Sequence, residues 1–306
     1  MDFRDSPDEA AFRERLRGWL AEQKGRFPTS GDAYWAKAGE WHQALYAAGF
    51  FGTSWPAEYG GQDLPPVYDV IVDEEIAKAG APARPSLGYL VVGLSHHGNE
   101  ELRQRFLPGM INGTERWCQG FSEPGAGSDL AALRTKAVRV DGASAGGATR
   151  PGWKLTGQKV WTSSAQQAHW GVCLARTDPD APKHKGITYF LIDMTSPGLV
   201  VRPLREITGD ELFNEVFLDD VFVPDEMVVG EVNQGWRLAR TTLANERVAM
   251  AQGTALGNPM EELLRSVAEL DAAQQDRLGE LIVTAQVGSL LDQRIAQLAV
   301  VGEDPG

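Results

Sequence analysis

The sequence predicts an α+β chain with segregated elements: helices, then strands, then helices again. Two observations predict it. Apolar residues recur at helical spacing before residue 115 and after residue 230, and between them they alternate in short β-rich runs bounded by Gly, Pro, Asp and Asn. We therefore divide the chain into residues 1–115, 116–229 and 230–306. With 306 residues, 42% hydrophobic and 23% charged, it can bury a sizeable core of the soluble globular kind.

In the first region, Pro7 and Asp8 precede Ala11, Phe12, Leu16, Trp19 and Leu20, which predicts a helix. Residues 35–48 and 67–79 predict a second and a third. The Trp-Pro and Gly-Gly pairs of FFGTSWPAEYGG make a rigid connection between them. LGYLVVGLSHHG reads as a buried helix and NEELRQRFLPGMING as a short surface helix. In KAGAPARPSLG, Pro82 and Pro85 either break a helix and widen whatever it lines, or a new helix starts at Pro85. His96 and His97 have no partner cluster and read as structural.

The middle region carries RTKAVRVD, WKLTGQKVWTS, WGVCLART, ITYFLIDM, LVVRPL and NEVFLDDVFVP. About eight short strands at this spacing predict a barrel or sandwich. GASAGGATRPG, 142–152, reads as a flexible excursion between two strands. After Gly230, GWRLARTTLANERVAMAQGTALG and residues 276–300 predict two long helices.

Charge and cysteine content narrow the function classes. A net charge of −13 repels phosphate backbones and anionic lipid, so neither nucleic acid nor a membrane is expected as partner. Cys118 and Cys173 make no disulfide framework and no metal-ligand spacing, which fits a reducing, cytoplasmic setting and no metal. The N-terminus has neither a signal-peptide core nor a membrane span.

The chemistry looks densest in WCQGFSEPGAGSDLAALRTKA, 117–137. Its Ser-Glu-Pro-Gly-Ala-Gly-Ser-Asp loop offers unobstructed backbone N–H groups and two hydroxyls, suited to an anion or a flat heterocycle bearing carbonyl oxygens. The bland reading, a plain connection into the barrel, is equally open on composition alone. Further on, Trp161 with Thr162 and Ser163 sets an indole beside two hydroxyls; an indole can flank an isoalloxazine, although a lone tryptophan is more often core.

The order of these two segments with GITYFLIDM, NEVFLDDVFVP and GWRLARTTLANERV resembles the acyl-CoA dehydrogenase family over about residues 1–250. The resemblance implies an N-terminal α-helical domain, a central β-barrel domain and a truncated C-terminal helical bundle domain. It implies FAD and the oxidation of an acyl-CoA thioester to the trans-2-enoyl-CoA. Flavin contacts fall on Gln119, Gly120, Phe121, Ser122, Gly127, Ser128, Trp161, Thr162 and Ser163, and substrate contacts on Ser128, Asn245 and Arg247. Most members carry their base late in the last domain. A minority places it on that domain's first long helix, where this chain has Asn245-Glu246-Arg247, so Glu246 is the expected catalytic base; alternatively it belongs to a solvated Glu-Arg pair.

Two departures from the family bear on assembly. The late Gly-Gly segment has no counterpart, and GNPMEELLRSVAELDAAQQDRLGE stands where an Arg-x-x-Phe-Gly element would reach a neighbour's FAD pyrophosphate. Arg265 and Arg277 do not replace it, and phosphates without cations bind weakly. The expectation is an oligomer, homomeric or with a second acyl-CoA dehydrogenase-like chain as in the actinobacterial steroid-CoA type, passing electrons to an electron-transfer flavoprotein. An acyl-CoA oxidase and a non-catalytic partner subunit are the alternatives.

Overall fold

The computed structural model describes residues 5–29, 31–145, 148–244, 267 and 269–300. They fall into two compact units, the first comprising residues up to Ser86 together with the helix at 272–300, the second residues 87–244.

In the first unit, α1 (Pro7–Gln23) starts at a capping box. Ser6 accepts from the Glu9 N–H and Glu9 accepts from the Ser6 N–H, with Pro7 at the first helical position. Phe12, Leu16 and Leu20, four residues apart, are its buried stripe. They join Trp41 and Leu45 of α2 (Gly31–Ala47), Phe50, Phe51, and Ile71, Val72 and Ile76 of α3 (Val67–Ala79) in one core. Arg13 and Arg17 reach across to the buried Glu75 of α3 at 2.7 and 2.6 Å. Helix α3 ends on Gly80, whose left-handed φ of 62° closes its last turn.

Of the two readings of the 80–88 segment, the helix break is found and a helix start at Pro85 is not. Residues 80–87 are non-helical and the next helix begins at Gly88. Proline disfavours helical geometry in the residue before it, and side chains pin what remains. Arg84 pairs with Asp69 and Asp73, and Trp41 Nε1 donates to the Ala83 carbonyl at 3.1 Å.

The second unit opens with α4 (Gly88–His97) and α5 (Glu100–Asn112), the latter capped by Asn99 accepting from the Leu102 N–H. Helix α5 is at the surface on one face, where Glu100, Glu101, Gln104 and Arg105 are exposed, but its other face is core. Leu102, Phe106, Leu107, Met110 and Ile111 are buried, and Phe106 meets Trp117 and Trp170 edge-on. Its polar residues occupy one face only, so it lies over the strands that carry those tryptophans.

Eight strands follow: β1 (Trp117–Gly120), β2 (Lys136–Ala145), β3 (Ala148–Lys159), β4 (Trp170–Arg176), β5 (Ile187–Asp193), β6 (Leu199–Pro203), β7 (Asn214–Pro224) and β8 (Val228–Val229). They form one sheet ordered β6-β7-β3-β2-β4-β5-β8, with β1 added parallel to β4. Flat, β3 and β5 would lie about 14 Å apart, three strand spacings. Yet Trp153 of β3 and Phe190 of β5 have ring centroids 5.9 Å apart. The sheet therefore curls around a single core that also takes in Cys118, Ala137, Leu155, Cys173, Ile192, Val216 and Val223. Bends fall at the bulges between Val140 and Ala143 and between Leu155 and Gly157. At Gly157 a Cβ would stand 2.3 Å from Thr135 Oγ1, so only glycine fits.

Within the expected excursion at 142–152 the described residues continue the ladder: Ala143 pairs with Arg150, Ser144 with Thr149 and Ala145 with Ala148. Backbone pairing does not need large side chains once a bulge has restored the register. Residues 235–244 form a helix, α6, and Ala272–Val300 form α7. Gly235 opens α6 hard against β5, where a Cβ would lie 2.6 Å from the Thr188 carbonyl carbon. Leu238, Ala239 and Thr242 are buried behind it. The Tyr189 and Thr242 hydroxyls lie 3.4 Å apart, and His97 Nε2 is 3.0 Å from Thr241 Oγ1, which fixes α6 on the sheet and on α4.

Candidate active site

Strand β1 delivers the glycine-rich loop to the rim of the sheet. Gln119 is half-buried in the ladder opposite Val172 and Gly120 opposite Cys173. Phe121 turns its ring into the core, 5.7 Å from Tyr189, and so offers the rim only its backbone. Glu123 and Ala126 then exchange backbone hydrogen bonds of 3.1 and 3.0 Å, closing a turn over Pro124 and Gly125. Gly127 and Ser128 follow, both exposed. Among the described residues their N–H groups donate to no backbone carbonyl, and a Cβ on Gly127 would meet nothing within 4 Å.

Beside this loop the chain leaving β3 turns sharply. The Val160 N–H donates to the Ser122 carbonyl at 2.9 Å, which joins the two segments. Trp161 takes φ 59° and Ser164 φ 56°. A left-handed tryptophan is a backbone outlier that costs about 1–3 kcal/mol, and such strain gathers at functional sites. The turn is held by the Thr162 N–H on the Asn214 carbonyl at 3.0 Å and the Ser164 N–H on the Leu212 carbonyl at 2.8 Å. Trp161 remains 60% exposed, touching Phe213 edge-on at 5.9 Å. Ser163 is exposed; Thr162 is fully buried, with no hydrogen-bond partner for its Oγ1 among the described residues.

Strain can be removed without unfolding the turn. Trp161→Gly is expected to change stability by less than about 1 kcal/mol, because glycine adopts positive φ freely while the edge-on packing of the indole on Phe213 is worth about as much. A thermal melt measures this; a large destabilisation would mean that the indole is a structural plug.

The structure thus places Gln119, Gly120, Phe121, Ser122, Gly127, Ser128, Trp161, Thr162 and Ser163 along one rim. Asn245, Glu246 and Arg247 lie outside the described residues. An open backbone edge, an exposed indole and the hydroxyls of Ser122, Ser128 and Ser163 fit a flat heterocycle with polar edges.

Three residues that support this rim carry no motif in the sequence. Asn214 is buried and donates through Nδ2 to the Thr162 carbonyl at 2.9 Å and to Gln166 Oε1 at 2.6 Å. Glu123 and Lys159 form an ion pair of 2.8 Å, their side chains 7% and 1% exposed. Burial pushes the Glu123 carboxyl up, but the Lys159 ammonium and hydrogen bonds outweigh it and hold the carboxyl below its ordinary value. The sequence signal was a lysine two residues before Trp161, at the buried end of a strand, and a glutamate inside the loop itself.

Other clusters carry no chemistry of this kind. Cys118 and Cys173 are buried and free, and burial pushes the Cys118 thiol up to about 12, which leaves it unreactive. No group of His, Cys, Asp or Glu among the described residues could hold a metal ion, and no described helix is long and apolar enough to cross a membrane. A polar cleft on α1 and α3, lined by Asp5, Arg13, Glu14, Arg17, Glu74 and Lys78, is occupied by their mutual ion pairs.

Helices preceding a curled sheet are the order that the resemblance to acyl-CoA dehydrogenases implies, and comparison with known proteins bears on it directly. The model for the N-terminal domain of acyl-CoA dehydrogenase matches residues 6–114, and that for the middle domain matches 118–221. Acyl-CoA dehydrogenase FadE34 of Mycobacterium tuberculosis is 60% identical over 97% of this chain, which spans 42% of that protein's length. Acyl-CoA dehydrogenase IpdE1 of Mycolicibacterium smegmatis is 37% identical, covering 96% of this chain and 79% of IpdE1. The solved Tcur3481-Tcur3483 steroid ACAD matches with a TM-score of 0.83 at 28% identity, over 99% of this chain and 79% of that one. The chain belongs to the acyl-CoA dehydrogenase family, as its motifs led us to expect.

Proposed function

We propose that this chain provides the flavin-gripping part of an FAD-dependent dehydrogenase that converts an acyl-CoA thioester to its trans-2-enoyl-CoA. One observation carries the reading: Trp161 is held in a strained turn with its face exposed, beside a loop whose N–H groups are open at Gly127 and Ser128. Gln119, Gly120, Phe121 and Ser122 contribute backbone and side-chain polar groups below it, and Ser163 a hydroxyl beside the indole. FAD bound there supplies a hydride acceptor. Glu246 removes the proton from the thioester Cα, and Arg247 and Asn245 hold the CoA end, while Ser128 serves both ligands. Hydrogen bonds to the thioester oxygen stabilise the charge that develops when the Cα–H breaks.

A steroid-derived acyl group is the substrate class we favour, because the Tcur3481-Tcur3483 relative is described as a steroid ACAD. That description joins two components, which supports a second chain of the same family completing the pyrophosphate side, where this chain has the acidic segment GNPMEELLRSVAELDAAQQDRLGE. An electron-transfer flavoprotein would be the partner that accepts the electrons. A half-site partner that binds FAD without turnover is the second reading, favoured by the same two-component description.

Gly127→Leu tests the site. Among the described residues no atom lies within 4 Å of the added Cβ, so the melting temperature should not change. FAD affinity should fall at least about tenfold, because the side chain fills the space the ring needs. An FAD titration of both proteins decides; unchanged affinity would move the flavin elsewhere.

A further inference from the structure

We propose that Glu123 and Lys159 are positioning residues, a buried ion pair that sets the shape of the glycine loop and of the Trp161 turn before any ligand arrives. This rests on reading the rim as the flavin site. Lys159 Nζ uses its three donors on the Phe121 carbonyl at 3.3 Å, Glu123 Oε1 at 2.8 Å and the Leu174 carbonyl at 2.7 Å. Glu123 in turn accepts from the Arg134 N–H at 2.6 Å and the Thr135 N–H at 2.9 Å. The pair therefore ties the loop to β4, to the chain entering β2 and to the last residue of β3. The next residue, Val160, bonds to Ser122, and the one after it is the left-handed Trp161.

Two charges this deep are a weak source of net stability, since apolar residues of similar volume often serve as well. Directional bonds are what an apolar pair lacks. Five of them converge here on segments that otherwise have glycine, proline and short turns to define them. The ion pair thus selects one loop geometry among the many such a sequence allows.

Amide hydrogen exchange on the full chain without FAD tests this, beside an FAD titration. In the wild type, the N–H groups of Arg134, Thr135 and Val160 should exchange at least a hundredfold more slowly than those of Gly127 and Ser128. In the double variant Glu123→Leu/Lys159→Met, the thermal midpoint should stay within a few degrees. Protection at those three amides should fall at least tenfold, and FAD affinity with it. Unchanged protection in the double variant would overturn the proposal, as would fast exchange at Arg134 and Thr135 in the wild type, a result available even if the variant fails to fold. A lowered midpoint with unaltered affinity would make the pair merely structural. Failure of both proteins to bind FAD even at high ligand concentration, where a missing partner chain would weaken binding without abolishing it, would instead remove the flavin reading, and the exchange data would still judge the pair.

Discussion

Glu246→Gln is expected to leave bound FAD in place and to slow its anaerobic bleaching by acyl-CoA by about 10²–10⁴. Gln keeps the volume and polarity of Glu but cannot take a proton, so binding and chemistry separate. The expectation follows from need: a thioester Cα–H is weakly acidic, and without a carboxylate aimed at it no proton leaves. Helix α6, whose described residues end two positions before Glu246, packs on β5 through Gly235 and Thr242 and on α4 through His97. Stopped-flow absorbance of the flavin band, under nitrogen, measures the rate. Bleaching at the wild-type rate would remove Glu246 as base and leave the site without the carboxylate assigned to it.

The second large effect concerns stability. Glu75 is buried and meets Arg13, Arg17 and Lys78 within 3.3 Å. Burial pushes its carboxyl up, but hydrogen bonds from Arg17 and Arg13 and the Lys78 charge outweigh this and hold it at about 2, against 4.5 ordinarily. Between those values the unfolded chain binds more protons than the folded one, so this contribution to stability rises with pH. It is fully present above about pH 5 and is lost as the pH falls through 4.5 towards 2. A shift of this size corresponds to about 3 kcal/mol. Glu75→Gln should therefore cost about 3 kcal/mol near neutrality and almost nothing near pH 2, with urea midpoints followed by circular dichroism as the readout. A pH-independent difference would assign the cost to packing.

The gross architecture was legible because it rests on periodicity. Phe12, Leu16 and Leu20 mark a buried helix face by spacing alone, and ITYFLID and NEVFLDDVFVP mark strands. The rim segments were legible as a run of glycines and as a tryptophan next to hydroxyls. What sequence did not reveal depends on contacts between distant segments. Lys159 reads as an ordinary strand lysine until the fold brings Glu123 beside it, 36 positions away. The left-handed Trp161 is invisible to any propensity, since propensity argues against it. The apolar inner face of helix α5 is hidden in composition by its charges, and the pairing of 143–145 with 148–150 reads as a linker because glycine and alanine carry no strand signal.

The central claim is that Trp161 and the loop beside it receive an isoalloxazine. Flavin fluorescence tests it most directly, because an indole stacked on the ring quenches the emission. Titrating FAD with the wild-type chain should quench its fluorescence, and the Trp161→Gly protein, equally folded, should lose most of that quench. No quench by the wild type, or an equal quench by both, would contradict the account.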